Sequence, residues 1–160
     1  MAPMPQKKNK KTVKNSYAMI TALMTPQDQN FLGYVFGGAI LKLMDQIAYV
    51  SAARHSGKYC VTASFDRVDF KEHVHVGELL TLKSCVNFVG KTSMEVGVRI
   101  EAEDPKTGKV RHTASGYVTM VAIDKNGKPT TVPQIIPETE DEKRRYREGQ
   151  IRYKMRKEIR

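Results

Sequence analysis

A long helical pattern lies in residues 30–57, NFLGYVFGGAILKLMDQIAYVSAARHSG. After the glycine pair Gly37-Gly38, apolar residues recur at helical spacing, and Gly57 is suited to a C-terminal cap. The pattern predicts a helix of about 20 residues, roughly 30 Å long. Because this helix is apolar nearly all round, we expect it to be buried.

Asp45 is the one carboxylate of this predicted helix. It shares a helical face with small and apolar residues, namely Gly38, Leu41, Ala48 and Ala52. A carboxylate on such a face is costly unless it is paired or protonated, and its pKa is open to tuning. Asp45 is therefore a candidate for chemistry. The competing interpretation is a helix-face aspartate paired with a neighbouring Lys or Arg.

The glycine pair lies at the entrance of the helix. Glycine lets a ligand approach the backbone closely, and the first N–H groups of a helix have no intrahelical partner. Gly37 and Gly38 are thus candidate donors to an anion or an oxyanion. The alternative is that they only permit a tight turn or a close crossing of strand and helix.

The remaining segments indicate strands. Residues 16–24 form a strand-like run before the helix, and four more runs rich in Val, Thr, Ile, Phe and Tyr follow it, at about 59–67, 78–89, 92–103 and 110–123. Tight connections containing glycine separate the last three runs. One strand, one long helix and a series of antiparallel strands predict an α+β fold.

Several motifs around the helix resemble one family. The pattern MTPQDQN at 24–30, VFGG at 35–38 and Met44-Asp45 is similar to the signature of the hot-dog-fold acyl-CoA thioester hydrolases of the bacterial single-domain type. The similarity continues through VTAS at 61–64, Asp69-Phe70, VGE at 76–78, VGKTS at 89–93 and YVTMVA at 117–122, and covers about residues 16–133. It implies the hot-dog fold, an antiparallel sheet wrapped around one long central helix.

The resemblance assigns roles to the candidates. Asp45 would be the essential carboxylate that either activates a water as general base or attacks the thioester carbonyl itself. The N–H groups of Gly37 and Gly38 would polarise that carbonyl. Asn30 matches the family's Asp-x-Asn element, where its side-chain amide can hold the water or the carbonyl. Read from the residues alone, Asn30 is equally a turn-forming Asx residue.

The family also implies self-association. Its active site lies between subunits, so Asn30 and Asp45 would come from different chains of a dimer, and dimers often assemble into hexamers as trimers of dimers. Leu32, Tyr34 and Ala39 differ from what relatives often carry, and these positions shape the acyl pocket. The preferred acyl chain length is therefore left open.

A second cluster would bind coenzyme A. The turn Gly90-Lys91-Thr92-Ser93 joins two predicted strands and offers N–H groups, two hydroxyls and a lysine, which suits a phosphate. By itself it is only a hairpin, but the family's corresponding loop contacts the nucleotide. Arg67 and basic residues near the C-terminus are further candidates for the phosphates. We expect no cofactor, because coenzyme A belongs to the substrate.

The charge of the chain is concentrated at its ends. The formal net charge is +10, and residues 1–14 contribute five lysines and no acids. We predict a basic disordered arm at 1–14, a hot-dog domain at 15–137 and a charged helix or tail at 138–160 that is solvated or lies on a neighbouring subunit. A basic arm can attract a polyanion, so the alternative function is a non-catalytic protein that binds acyl-CoA or nucleic acid. Nucleic acid is disfavoured because no helix-turn-helix or RNA-binding aromatic motif accompanies the arms.

Other chemistry is not favoured by the sequence. His73 and His75 could share one strand face as metal ligands, but no third ligand supports them, so we expect no metal. A hot-dog dehydratase would need a catalytic histidine before the helix, and there is none. Cys60 and Cys85 are expected to be buried free thiols. The sequence shows no signal-peptide pattern and no long apolar run, so we expect a cytoplasmic protein without membrane contact.

Overall fold

The computed structural model describes residues 9–159, which form two α-helices, two short 3-10 helices and two sheets. Helix α1 spans Gly37–Ser56 and helix α2 spans Glu140–Ile159. The strands are β1 Lys10–Thr12, β2 Ala18–Leu23, β3 Cys60–Phe70, β4 Leu79–Val89, β5 Ser93–Glu103, β6 Val110–Ala122 and β7 Gln134–Ile136. Neither helix within residues 9–159 has an apolar run of the length that a bilayer crossing demands.

The main sheet has five antiparallel strands in the order β2-β4-β5-β6-β3. The inward residues of its strands alternate with outward ones, as the two-residue period of a strand requires. The inward side chains are fully buried against α1 and include Leu80, Leu82, Val96, Ile100 and Val118. Helix α1 supplies Met44, Ile47 and Ala48 to the same core. The predicted hot-dog architecture and α+β class are thus confirmed.

Helix α1 begins and ends as the sequence predicts. It has 20 residues, and Gly57 follows it in the left-handed conformation with φ 68°, which glycine adopts without a steric penalty. The expectation of burial all round is wrong, however. Lys42 and Gln46 are exposed and Asp45 is half-buried, because the sheet covers one side of the helix and leaves the other open.

The prediction of a disordered N-terminal arm at 1–14 is wrong for residues 10–14. Residues 1–8 lie outside the described residues, but Lys10–Thr12 pair in parallel with Gln134–Ile136 as a second, two-stranded sheet. Val13 follows this strand and is 1% exposed. Residues 10–14 are therefore ordered, since backbone pairing and the burial of Val13 offset the entropy cost of fixing the chain.

The sequence predicts that α2 is solvated or lies on a neighbouring subunit, but the helix packs on the outer face of its own sheet. Phe88 of β4 contacts the rings of Tyr146 and Tyr153 at centroid distances of 5.2 and 5.3 Å. Gly149 allows the approach, because a Cβ there would lie 2.8 Å from Glu95 Oε2 and 2.9 Å from Phe88 Cβ. Glycine lowers the intrinsic stability of a helix, but at position 149 it is required for docking.

Candidate active site

Asp45 lies on the open side of α1, facing β3. The Thr62 hydroxyl of β3 donates a hydrogen bond to Asp45 Oδ1. No Lys or Arg among residues 9–159 forms an ion pair with this carboxylate, so the interpretation of Asp45 as half of a surface salt bridge is not supported. A half-buried carboxylate held by one hydroxyl keeps its second oxygen available for a proton or a carbonyl carbon.

The N-terminus of α1 is open. Phe36, the N-cap residue, makes no side-chain cap bond, and Gly37 and Gly38 are both exposed. Within the part of the chain that the structure describes, no atom accepts a hydrogen bond from the N–H of Gly37 or Gly38. Two unpaired N–H groups at the positive end of a helix dipole can stabilise a developing oxyanion.

Apolar rings surround this helix entrance. The ring of Phe70, on β3, lies 3.6 Å from the Cβ position of Gly37, and Phe36 lies against Gly38. Phe31 and Leu32 of the preceding loop are 96% and 64% exposed. Large apolar side chains at such exposure around a polar site are suited to an acyl chain or to a second subunit.

Asn30 has its side-chain oxygen committed to its own loop. Oδ1 accepts hydrogen bonds from the N–H of Leu32 at 2.9 Å and of Tyr34 at 3.1 Å. The turn-forming interpretation of Asn30 is therefore correct, but it does not use the whole side chain. The amide nitrogen makes no hydrogen bond within the described residues, so Nδ2 remains as a pair of donors.

The Asn30 loop is fastened to the segment that precedes β4. Tyr34 stacks on His73 with ring centroids 4.1 Å apart and pairs with His75 through a backbone bridge. Arg111 holds this segment from β6 by two bonds to Glu78, at 2.7 and 2.8 Å. The two histidines thus support the loop, and residues 9–159 contain no group of three or more His, Cys, Asp or Glu arranged for a metal.

The residues predicted to bind coenzyme A lie at two separate positions in the fold. Residues 90–92 turn tightly between β4 and β5, closed by a bond from Gly90 N–H to the Ser93 carbonyl at 2.9 Å, and Lys91 is exposed. Arg67 lies apart from this turn, on a bulge of β3, where its φ of 50° is unusual for a residue with a side chain. The structure also brings Tyr153 of α2 against Gly90, a neighbour the sequence does not predict.

The cysteines are free and buried, as predicted. Burial raises the pKa of the Cys60 thiol, and it raises that of Cys85 to about 11. Since the thiolate is the nucleophilic form, neither residue is suited to attack a carbonyl. Asp45 with Thr62 is thus the better candidate, and Thr62 is the member that sequence reasoning missed. Its position opposite Asp45 depends on how β3 passes the helix.

The sequence model of the Thioesterase superfamily matches residues 32–109. The chain is 44% identical over 143 residues to the protein VdlD of Helicobacter pylori, a match covering 89% of this chain and 81% of that protein. The uncharacterized acyl-CoA thioester hydrolase YkhA of Bacillus subtilis is 42% identical, and the match covers 81% of this chain and 75% of that protein. The cytosolic acyl coenzyme A thioester hydrolase of rat is 40% identical, and the match covers 89% of this chain and 38% of that longer protein.

Solved structures agree with these relatives. An apo-hexameric acyl-CoA thioesterase superposes with a TM-score of 0.90 at 42% identity, over 94% of this chain and 97% of that one. An acyl-CoA hydrolase from Staphylococcus aureus, solved with butyryl coenzyme A, coenzyme A and its disulfide, superposes with a TM-score of 0.87 at 36% identity, over 94% and 92%. Variants of that hydrolase with alanine at an asparagine, an aspartate or a threonine have also been solved. The chain belongs to the hot-dog acyl-CoA thioester hydrolases of the Thioesterase superfamily and is an acyl-CoA thioesterase.

Proposed function

We propose that this enzyme hydrolyses acyl-CoA at a site that two subunits share. Asp45 and Thr62 come from one chain, and the N–H groups of Gly37 and Gly38 with the amide of Asn30 come from the other. The observation that carries the proposal is the half-buried Asp45 carboxylate, bonded by Thr62 and facing the open side of α1.

The geometry of α1 supports a shared site. Gly37 and Asp45 are eight residues apart on one helix, which is about 12 Å along its axis. An oxyanion donor and an attacking group each need to lie about 3 Å from the reacting atoms. The donors and the carboxylate of a single helix are therefore too far apart to hold one carbonyl between them, whereas two antiparallel helices bring one N-terminus to the other's Asp45.

The spacing of the three polar residues gives independent support. The asparagine, aspartate and threonine replaced in the Staphylococcus aureus hydrolase are separated by 15 and 17 residues along its chain. Asn30, Asp45 and Thr62 have the same separations. Because their equivalents were selected for replacement in that enzyme, we assign these three residues to the site here.

Asn30 would serve as a donor. Its oxygen is occupied by two loop N–H groups, so the side chain can offer only Nδ2–H to a ligand. A donor suits the thioester carbonyl oxygen, which gains negative charge as the carbonyl is attacked.

Strand β3 is the edge at which a second chain would pair. It is the last strand of the sheet, and of its eleven residues only Cys60 is buried. Val61, Phe65 and Phe70 are 47%, 40% and 49% exposed. A long, exposed and apolar edge strand is a template for pairing with another copy. We propose a dimer joined at this edge and, from the hexameric relative, a trimer of dimers.

The reaction follows from these groups. Asp45 either takes a proton from an attacking water or attacks the carbonyl carbon and forms an anhydride that water then opens. In both routes a new C–O bond forms, the carbonyl oxygen becomes negative beside the Gly37 and Gly38 N–H groups, and the C–S bond breaks. The sulfur leaves as the coenzyme A thiolate and takes up a proton, and the acyl group leaves as a carboxylic acid.

The remaining assignments complete the proposal. Gly90, Lys91, Thr92, Ser93 and Arg67 would bind the nucleotide end of coenzyme A, and no further cofactor or nucleic acid is required. We propose a cytoplasmic location, which the cytosolic rat relative supports.

The test is release of free coenzyme A thiol from a panel of acyl-CoA substrates, from acetyl to palmitoyl. Asp45→Asn should lower kcat by about 10²- to 10⁴-fold, because the amide cannot accept a proton or attack. Asp141→Asn, at an exposed carboxylate on α2, is the matched control and should retain full activity. A folded Asp45→Asn variant with unchanged turnover would contradict the proposed role. A wild type that binds acyl-CoA and hydrolyses none would favour the non-catalytic alternative.

A further inference from the structure

Helix α2 is fastened to the sheet by a buried ion pair. Glu95 of β5 is 2% exposed and accepts two bonds from Arg152, at 2.7 and 2.9 Å. One helical turn further, Arg156 donates to Asp66 of β3 at 2.7 Å. The helix thus crosses the outer face of the sheet from β4 to β3, and its last turns are held in place.

The C-terminal end of α2 contacts the Gly90–Ser93 turn between β4 and β5. The ring and hydroxyl of Tyr153 lie so close to Gly90 that a Cβ there would be 3.0 Å from both. Lys157, four residues on, lies with Nζ 4.6 Å from the centre of the Tyr153 ring. One side of the turn therefore faces an aromatic ring and a second lysine from α2.

We call the cluster of Lys91, Tyr153 and Lys157 the α2 corner. Its two lysines have no carboxylate partner among the described residues. Arg152 and Arg156 are paired with Glu95 and Asp66. In contrast, no carboxylate within residues 9–159 forms an ion pair with Lys91 or Lys157. An exposed lysine in the turn, a second lysine beside it and the half-buried hydroxyl groups of Thr92 and Ser93 are suited to phosphate.

The strand pairing of the sheet gives the distance between the α2 corner and the reacting residues. Thr62 pairs with Met120, Met120 with Met94, and Met94 with Val89, the last residue before the turn. Thr62 and the turn therefore lie at the same end of the sheet, with their backbones about 14 Å apart in the plane of the sheet. The Thr62 hydroxyl faces α1, whereas α2 covers the opposite face, so a ligand that joins the two would pass around this end of the sheet. An extended pantetheine arm joins a thioester to its phosphates over a span of this order.

We propose that the last turns of α2 are part of the substrate site, with Lys157 and Tyr153 forming, together with Lys91, the pocket for the phosphates of coenzyme A. This rests on the proposed function. It gives the C-terminal helix a role in binding the nucleotide and none in the chemistry.

The experiment compares two substrates that share one thioester. Acyl-CoA carries the phosphates, and the same acyl group on pantetheine lacks them. Lys157→Ala and Lys91→Ala should each raise KM for acyl-CoA by about fivefold at low salt, with kcat unchanged, because each removes one partly exposed phosphate contact. For acyl-pantetheine, both variants should match the wild type. Lys143→Ala, at the opposite end of α2, is the control and should alter neither substrate.

The outcomes separate the two proposals. Unchanged KM for acyl-CoA in Lys157→Ala, or an equal change for both substrates, would overturn the role of α2 while leaving hydrolysis intact. A wild type that hydrolyses neither substrate would instead contradict the proposed function. Since both lysines are exposed, we expect the variants to fold as the wild type does.

Discussion

The two faces of the sheet differ in how far one chain completes them. On the outer face, α2 covers β4 and β5, and the buried carboxylate of Glu95 accepts two hydrogen bonds from the Arg152 guanidinium. On the other side, α1 has an open N-terminus, β3 is an exposed apolar edge, and Asp45 has only Thr62 as partner among the described residues. The outer face is covered by a helix of the same chain, whereas the exposed edge at β3 is a surface that a second chain would cover.

This difference predicts that stability and activity can be changed separately. Substitutions under α2 should destabilise the fold, because they leave buried charges or create clashes. Substitutions at the open edge should impair turnover and leave the monomer fold intact, because few buried contacts depend on them.

The largest effect on stability is expected at Glu95. Glu95→Gln removes the charge that Arg152 and Arg156 face, and leaves two largely buried guanidinium groups with less compensation. We expect the free energy of unfolding to fall by about 3 kcal/mol. Urea unfolding at neutral pH measures this, with Glu140→Gln, at a carboxylate that is 92% exposed, as control. A loss no greater than that of the control would show that the ion pair does not fasten α2.

Gly149→Ala distinguishes a docked helix from a solvated one. In a solvated helix, alanine would stabilise by about 1 kcal/mol. In the docked helix the new Cβ meets Glu95 Oε2 and Phe88 Cβ below 3.0 Å, so we expect a loss of about 1 to 3 kcal/mol. The sign of the change in urea midpoint decides between the two, and a gain in stability would contradict the packing described here.

At the open edge, Thr62 should affect turnover and not stability. Thr62→Val keeps the shape and removes the hydroxyl that donates to Asp45, so kcat should fall about tenfold. Thr62→Ser retains the donor and should remain near the wild type. Steady-state kinetics on one acyl-CoA measure both, and equal activity of the valine and serine variants would exclude the hydrogen bond as a contributor.

The smallest effect is expected at His55, at the end of α1. Burial lowers the pKa of His55, although the bond between Nε2 and the Pro133 carbonyl at 2.8 Å acts in the opposite direction. The unfolded chain therefore binds a proton more readily than the folded one. The stability associated with neutral His55 is complete above about pH 6.5 and is lost as the pH falls below that value.

Unfolding at pH 7.5 and pH 5.5 tests the contribution of His55. The drop in free energy of unfolding should be larger in the wild type than in His55→Gln, whose amide can still donate to the Pro133 carbonyl but does not titrate. Equal drops in the two proteins would assign the acid sensitivity to other groups, such as Glu142, whose pKa is lowered by its backbone and Tyr17 hydrogen bonds against the effect of burial.

The parts of the fold that local sequence determines could be predicted. Helical spacing, the glycine pair and the Gly57 cap define α1, and the positions of the turns define the strands of the main sheet to within a few residues. The family resemblance then pointed to Asp45, Asn30 and the two glycines, and the structure places each of these side chains or N–H groups at an accessible surface.

What could not be predicted depends on contacts between distant parts of the chain. Lys10 pairs with Gln134, and Glu95 with Arg152, across separations for which the sequence offers no local pattern. The same holds for Thr62, whose hydroxyl reaches Asp45 only because β3 passes beside α1. Helix α2 docks through an ion pair and a close approach at Gly149. Because it has no apolar stripe, its sequence does not indicate that it packs on the sheet.

We propose that each active site contains residues of two chains, and subunit complementation tests this proposal. Asp45→Asn and Asn30→Ala are each expected to be inactive alone, and they are produced together so that their chains assemble at random. If Asn30 and Asp45 act from different subunits, about a quarter of the sites are intact, and about a quarter of the wild-type activity returns. If both residues act from the same chain, every site lacks one of them. A mixed assembly that is folded, confirmed to contain both chains and still inactive would contradict an active site shared between two chains.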